Sequence, residues 1–149
     1  MKFIYIQTVN NESGLFNAFE GTQKIGEGSV SSDDIETDWS PNSDFLRTVA
    51  PKRINQYMKT SGLPYTLGWV ELAYKKATKS WFHDYDVHNV LKRSGIKQAE
   101  QLEGTEWFKT DLETAKAAIK AVKEGRNYLN ITAKESFIEE QNVNRKSIV

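Results

Sequence analysis

Cysteine is absent from this chain of 149 residues, and its absence excludes several kinds of site. The chain has no disulfide framework, no cysteine-based zinc cluster and no thiol nucleophile, which fits a reducing compartment. Histidine is nearly as scarce. The chain has only two, His83 and His88, and they are not four residues apart, the spacing that places two ligands on one face of a helix. A zinc site that uses these two side chains is an alternative, but the chain has no cysteine to supply the remaining zinc ligands.

Long apolar runs are also missing. No stretch approaches the ~18 consecutive apolar residues that suggest a membrane-spanning helix, and Met1 and Lys2 lead directly into a strand-like segment. We therefore expect no transmembrane helix, no secretory signal and no membrane partner. The length fits one domain, and we expect a cytoplasmic protein.

The chain carries no excess of either charge, and a pI of about 6.7 argues by itself against a nucleic-acid binder. The charges are unevenly distributed, however. Residues 1–45 hold two lysines and eight acids, whereas residues 46–149 hold eighteen basic and twelve acidic side chains. A neutral chain of this kind can present one basic face, although mixed charges on solvated helices would produce the same counts.

The residue pattern predicts strands that alternate with helices. β-branched and aromatic residues predict a first strand over 2–9, and an alanine-rich stretch with acids at its start predicts a helix over 111–122. The other expected elements are a second strand over 21–26, a short helix capped by Ser43 or Asp44, a helix over 53–59, a third strand over 67–74, a helix from Thr78 or Ser80 to Arg93, and a strand over 106–108.

This order predicts an α+β fold in which a small, mainly antiparallel sheet of three to four strands is flanked by helices. We place that domain in residues 1–125 and a tail or linker in residues 126–149. Residues 28–42 are rich in acids and predict a mobile loop near the substrate groove. Thr48 to Pro51 predicts a break that separates Arg47 from the helix carrying Arg53, and we expect Asp86 on the solvent side of its helix.

Several side chains could carry phosphodiester chemistry, which needs a base for the attacking water and positive charge for the transition state. Tyr5 alternates with Ile4 and Ile6 on a strand, so it faces away from them. A lysine near a phenol lowers the phenol pKa and would help it act as a base. Each of these residue types is also common in ordinary structural positions, where Tyr5 would be a half-buried sheet tyrosine.

Two pairs on the predicted helices have a spacing of four residues and so share a helical face. Arg53 and Tyr57 form the first pair, in which a guanidinium suits two-point contact with phosphate. Asp84 and His88 form the second pair. A single carboxylate leaves Mg²⁺ to take its remaining ligands from water and phosphate, which suits that ion.

The ordered set Phe3-Ile4-Tyr5, Lys24-Ile25-Gly26, Arg53 with Tyr57, and Asp84 with His88 resembles the GIY-YIG nuclease superfamily. The resemblance covers roughly residues 2 to 123 and is greatest to the branch found in phage and in restriction- or helicase-associated proteins. Glu106-Trp107-Phe108 is similar to a strand of that branch. The chain differs by having Phe3 for a glycine, Lys24 for a tyrosine and Asp84 for a glutamate.

The resemblance implies a metal-dependent endonuclease that binds nucleic acid, with DNA as the expected partner. It implies that Tyr5 is the general base, that Lys24 and Arg53 stabilise charge, and that Tyr57 is a phosphate ligand. Asp84 would hold Mg²⁺ or Mn²⁺, and His88 would support the metal or contact phosphate. It also implies fusion to, or association with, a helicase-type domain in a larger restriction-type protein.

Other assignments stay open at this point. Glu106 is a candidate second acid, whereas Trp107 and Phe108 are expected in the core. One alternative function is an inactive module on the same fold that binds nucleic acid or docks a partner. Another is a small structural α/β domain in which the order of the motifs is coincidental.

Overall fold

The computed structural model describes residues 1–31, 38–58, 63–99, 102 and 105–129. The strands in these ranges are β1 (Lys2–Val9), β2 (Thr22–Ser29), β3 (Tyr65–Leu72), β4 (Tyr74–Lys75), β5 (Ser80–Trp81) and β6 (Trp107–Lys109). The α-helices are α1 (Asp44–Met58), α2 (Asp84–Arg93) and α3 (Leu112–Lys123). None of these helices is long and apolar enough to span a membrane.

Four strands form one antiparallel sheet in the order β3-β1-β2-β6. The long strand β1 lies inside the sheet, where it pairs with β2 on one side and with β3 on the other. In this register Tyr5 is opposite Gly26, and Gln7 is opposite Lys24. The predicted α+β class, with a mainly antiparallel sheet of up to four strands, is therefore confirmed.

The alternation of β1 divides the core between the two faces of the sheet. Ile4 and Ile6 pack with residues of α2 and α3, whereas Phe3 and Tyr5 pack with residues of α1. Successive side chains of a strand point to opposite faces, so both faces of β1 are covered by helices. The prediction that Tyr5 faces away from its isoleucine neighbours is confirmed.

The expected break before Arg53 is wrong, because α1 runs through Pro51 without interruption. Ser43 caps the start of this helix, as its hydroxyl accepts a hydrogen bond from the amide of Leu46 at 3.2 Å. Leu46, Ala50 and Ile54 then recur every four residues and are buried against the sheet. Their burial outweighs the local cost of an internal proline.

Arg47 consequently belongs to the same helix as Arg53. Its guanidinium donates hydrogen bonds to the carbonyl oxygen of Leu67 and to the side-chain oxygen of Asn42, both at 2.9 Å. Asn42 in turn accepts from the amide of Val70 at 3.2 Å. Arg47 therefore ties α1 to the outer edge of β3.

Three other predicted boundaries shift. The second strand continues past Gly26 to Ser29, because β1 is long enough to offer it a partner. The third strand begins at Tyr65, and the segment expected to start a helix at Thr78 or Ser80 forms a β4–β5 hairpin instead. Much of the predicted acidic loop, residues 32–37, lies outside the described residues, as do residues 130–149 of the predicted tail.

Helix α2 begins later than predicted, at Asp84, with His83 as the residue that caps it. The carboxylate of Asp86 accepts a hydrogen bond from the backbone amide of His83 at 2.9 Å. Helical spacing predicted Asp86 on the solvent side of the helix. It is instead half-buried in the cap. This cap fixes the direction in which the preceding hairpin meets α2.

Candidate active site

The phenol of Tyr5 lies across Gly26 on the neighbouring strand. A Cβ added to Gly26 would overlap the hydroxyl oxygen and Cζ of Tyr5. Because Tyr5 is only 4 % exposed, its ring has little room to move aside. The glycine of the Lys24-Ile25-Gly26 motif is therefore required by the tyrosine of the first motif.

Lys24 lies on the same face of the sheet as Tyr5, since positions opposite each other on paired strands share a face and Gln7 is opposite Lys24. Its ammonium group is 3.5 Å from a carboxylate oxygen of Glu106. Glu106 immediately precedes β6, and its carbonyl oxygen accepts a hydrogen bond from the amide of Ile25 at 3.0 Å. The β2–β6 register thus places this carboxylate beside Lys24.

Asp84, at the start of α2, forms a hydrogen bond with the side chain of Glu106. Two carboxyl groups can share a hydrogen bond only when one of them carries a proton. Burial, together with this bond to Asp84, raises the pKa of Glu106 to about 7, and the ammonium group of Lys24 opposes the rise. The three side chains form one polar cluster, which we call the carboxyl cluster: Lys24, Asp84 and Glu106.

His88 holds the start of α2 against the sheet. Its Nε2 donates a hydrogen bond to the carbonyl oxygen of Ile25 at 2.7 Å, and its ring packs against Phe108 at 5.1 Å between centroids. Burial lowers the pKa of His88, while the bond to Ile25 and the charge of Asp84 act in the opposite direction. The buried ring of His88 therefore positions Asp84, which lies one helical turn away. The expected contact of His88 with metal or phosphate stays a prediction.

Arg53 and Tyr57 lie on α1, whose residues Ala50 and Ile54 pack in the same cluster as Tyr5. The helix therefore covers the face of the sheet that holds Tyr5. The side chains of Arg53 and Tyr57 are outside the described part of the structure, so their approach to the site stays a prediction.

A divalent cation would find few protein ligands here. Across the described ranges, no three histidine, aspartate or glutamate side chains are grouped so that they could hold a metal ion. The contact between Asp84 and Glu106 still fits Mg²⁺, because that ion often takes one or two carboxylates and leaves its other positions to water and phosphate.

Searches of family models, curated proteins and solved structures gave no match to this chain. The candidate site is therefore defined by the geometry of this chain.

Sequence reasoning missed a second polar group beside the carboxyl cluster. The Nδ1 atom of His83 is 3.2 Å from the ammonium group of Lys2 and 3.2 Å from a carboxylate oxygen of Glu27. The ring of His83 also stacks on Tyr85, with centroids 4.9 Å apart. No sequence signal pointed to this group, because the helix was expected to begin at Thr78 or Ser80 and the partners of His83 lie on two distant strands.

Proposed function

We propose that residues 1–125 form a metal-dependent endonuclease domain of the GIY-YIG type, which hydrolyses phosphodiester bonds in nucleic acid, with DNA as the expected substrate. The observation that supports this most is the contact of Glu106 with both Lys24 and Asp84, which joins motif residues far apart in sequence. Tyr5 packs separately over Gly26, on the sheet face covered by α1, whereas α2, which carries Asp84, covers the other face. The proposal includes a place in a larger restriction- or helicase-type protein.

The roles follow from the position of each group. Lys24 and Tyr5 share a sheet face, where a cation favours the ionised phenol and so a base for the attacking water. Asp84 and Glu106 would hold Mg²⁺ or Mn²⁺, which when bound supplies positive charge for the phosphoryl oxygens. His88 would act through Asp84 by fixing the first turn of α2 against Ile25.

Glu106 has two roles in this proposal. Without a cation it carries the proton that joins it to Asp84, and so it prevents two negative charges from meeting in a partly buried place. A carboxylate must be deprotonated to bind a metal ion, so Asp84 and Glu106 would both be ionised when they hold the cation. Lys24, whose ammonium group is 3.5 Å from Glu106, would add positive charge beside the substrate phosphate.

Tyr5→Phe tests the proposal with little disturbance of the fold, because the phenylalanine ring still fills the space over Gly26. Cleavage of a labelled DNA in Mg²⁺ should fall by about 10²-fold or more, the usual loss when a general base is removed. Tyr128→Phe is the matched control, since this tyrosine is 61 % exposed. Equal cleavage by Tyr5→Phe and wild type would reject the assigned role of the phenol.

One observation favours a second function, an inactive module on the same fold that binds nucleic acid or a partner. Lys24 and Asp84 both contact Glu106, so the cluster can satisfy its own charges without a metal. A stable binding module has no need of an open ligand position. This alternative predicts that wild type binds nucleic acid but does not cut it in Mg²⁺ or Mn²⁺, and that Asp84→Glu gains no activity.

A further inference from the structure

Aromatic rings flank Asp84 on the surface of the molecule. Tyr74 and Trp81 on the β4–β5 hairpin meet edge to face, with centroids 4.9 Å apart. His83 and Tyr85, on either side of Asp84, stack with their planes 13° apart. We call these four side chains the ring row: Tyr74, Trp81, His83 and Tyr85.

Two members of the ring row are strongly exposed. Trp81 is 40 % and Tyr85 is 54 % exposed. Exposed large apolar side chains are few in the described part of the chain: Leu15, Trp81, Tyr85 and Tyr128. Two of these four thus lie within three residues of Asp84, where an exposed aromatic group needs an explanation other than the core.

The hairpin is anchored so that these rings face outward. Phe82 is buried, and its amide donates a hydrogen bond to the carbonyl oxygen of Ala73 at 2.9 Å. In an extended segment neighbouring side chains point to opposite sides, so Trp81 and His83 face away from the buried side of Phe82. The exposure of Trp81 is therefore set by its buried neighbour.

Positive charge accompanies the rings. Residues 72–83 contain three lysines, Lys75, Lys76 and Lys79, and no acid. Lys76 and Lys79 are exposed in the turn, and Lys79 has a φ of 52°, a conformation that glycine or asparagine adopts more readily. Lys75 lines a cavity of about 120 Å³ together with Arg93 and Arg126, and the acid Asp86 also lines it.

We propose that the ring row and the hairpin lysines bind single-stranded nucleic acid, with bases stacked on Trp81 and Tyr85 and phosphates at Lys76 and Lys79. Base stacking on aromatic side chains accepts any base but needs a free base face, which a paired duplex does not offer. The carboxylate of Glu27, which contacts His83, would repel phosphate at that end of the ring row. We therefore place the phosphates of the nucleic acid at the other end, beside Lys76 and Lys79.

This inference rests on the proposed function and narrows its substrate to an unpaired strand. Asp84 begins α2 between His83 and Tyr85 in the chain, so a strand stacked on the ring row would pass the end of the helix that carries Asp84. A duplex would reach the cluster only with its bases locally unpaired, which costs free energy.

The test measures binding of a fluorescent oligothymidylate to the full chain in EDTA, where no cleavage occurs. Trp81→Ala and Tyr85→Ala should each weaken binding by roughly 5- to 100-fold, the effect expected when one base can no longer stack. Trp81→Phe keeps a ring and should retain most of the affinity. The matched control is Tyr128→Ala, which removes an exposed ring outside the row and should leave affinity unchanged.

The lysines are tested by salt. Lys76→Gln with Lys79→Gln should lower the dependence of log K on log salt by about 0.7 for each phosphate of a single strand that a lysine no longer neutralises. The same change made at Lys120, an exposed lysine of α3, should leave that slope unaltered. An unchanged slope for the hairpin variant would overturn the assignment of phosphates to these lysines.

Four outcomes separate this inference from the proposed function. Unaltered affinity of both ring variants, or tighter binding of wild type to a duplex of the same sequence, would overturn the inference while metal-dependent cleavage could still be found. Binding that depends on the rings, without cleavage in Mg²⁺ or Mn²⁺, would support the inference and reject the endonuclease. No binding of either strand form would overturn both.

Discussion

Gly26→Ala should destabilise the fold through one contact, the overlap of the new methyl group with the phenol of Tyr5. Forcing an extra carbon into a packed site usually costs about 1–3 kcal/mol in the free energy of unfolding. Gly26 has no positive φ, so the alanine adds no backbone strain. Loss of unfolded-state entropy returns about 0.4–1 kcal/mol, which leaves a net destabilisation of about 0–2.6 kcal/mol.

Urea denaturation followed by circular dichroism measures this cost, and a double-mutant cycle assigns it. In a Tyr5→Ala background the same glycine change should be close to neutral, because the overlapping atoms are gone. Gly68→Ala is the control, since this glycine lies in β3 and its nearest contact is the flexible end of Leu112 at 3.0 Å. A penalty at Gly26 that persists without the tyrosine ring would refute the proposed contact.

Three further changes test other parts of the site. The pKa of Glu106 is about 7 in the folded state, against an ordinary value of 4.5. Its contribution to the free energy of unfolding is therefore fully present below pH 4.5 and is lost as the pH rises through 7. Thermal melting in EDTA should show this loss for wild type and not for Glu106→Gln. His88→Phe should cost about 1–3 kcal/mol in urea denaturation, because the carbonyl oxygen of Ile25 is left without its buried donor. In a filter-binding assay with DNA, Asp84→Asn should bind as tightly as wild type or more tightly, since it removes a negative charge, whereas Arg53→Ala should weaken binding.

Elements with a strong local pattern were predicted well. The β-branched and aromatic run of β1 was placed at its observed ends, and α3 was placed within one residue, with Asp111 as the residue that caps it. Trp107 and Phe108 are buried, as expected for the short strand near the end of the domain. In each case the signal lies within a dozen neighbouring residues.

Elements decided by distant partners were predicted poorly. Pro51 suggested a break locally, but the buried stripe of α1 against the sheet kept the helix continuous. Similarly, the hairpin at Ser80–Trp81 exists because Phe82 is anchored at Ala73, a contact that helix-start signals at Thr78 or Ser80 do not reveal.

The same contrast between local patterns and distant contacts applies to the candidate site. The pairing of Tyr5 with Gly26 follows from a hairpin register that short strands suggest. The contacts of Glu106 with Lys24 and Asp84 join the end of one loop to a strand and to a helix, with separations of 82 and 22 residues. No local sequence pattern predicts contacts over such separations, so the sequence identified Glu106 only as a candidate second acid.

The most direct test of the central claim is cleavage of supercoiled plasmid by wild type and by Asp84→Asn, each in Mg²⁺, in Mn²⁺ and in EDTA. We predict that wild type nicks the plasmid with either metal and not in EDTA, and that Asp84→Asn nicks it under none of the three conditions. Nicking by Asp84→Asn at the wild-type rate, or nicking by wild type in EDTA, would contradict a metal-dependent site at Asp84.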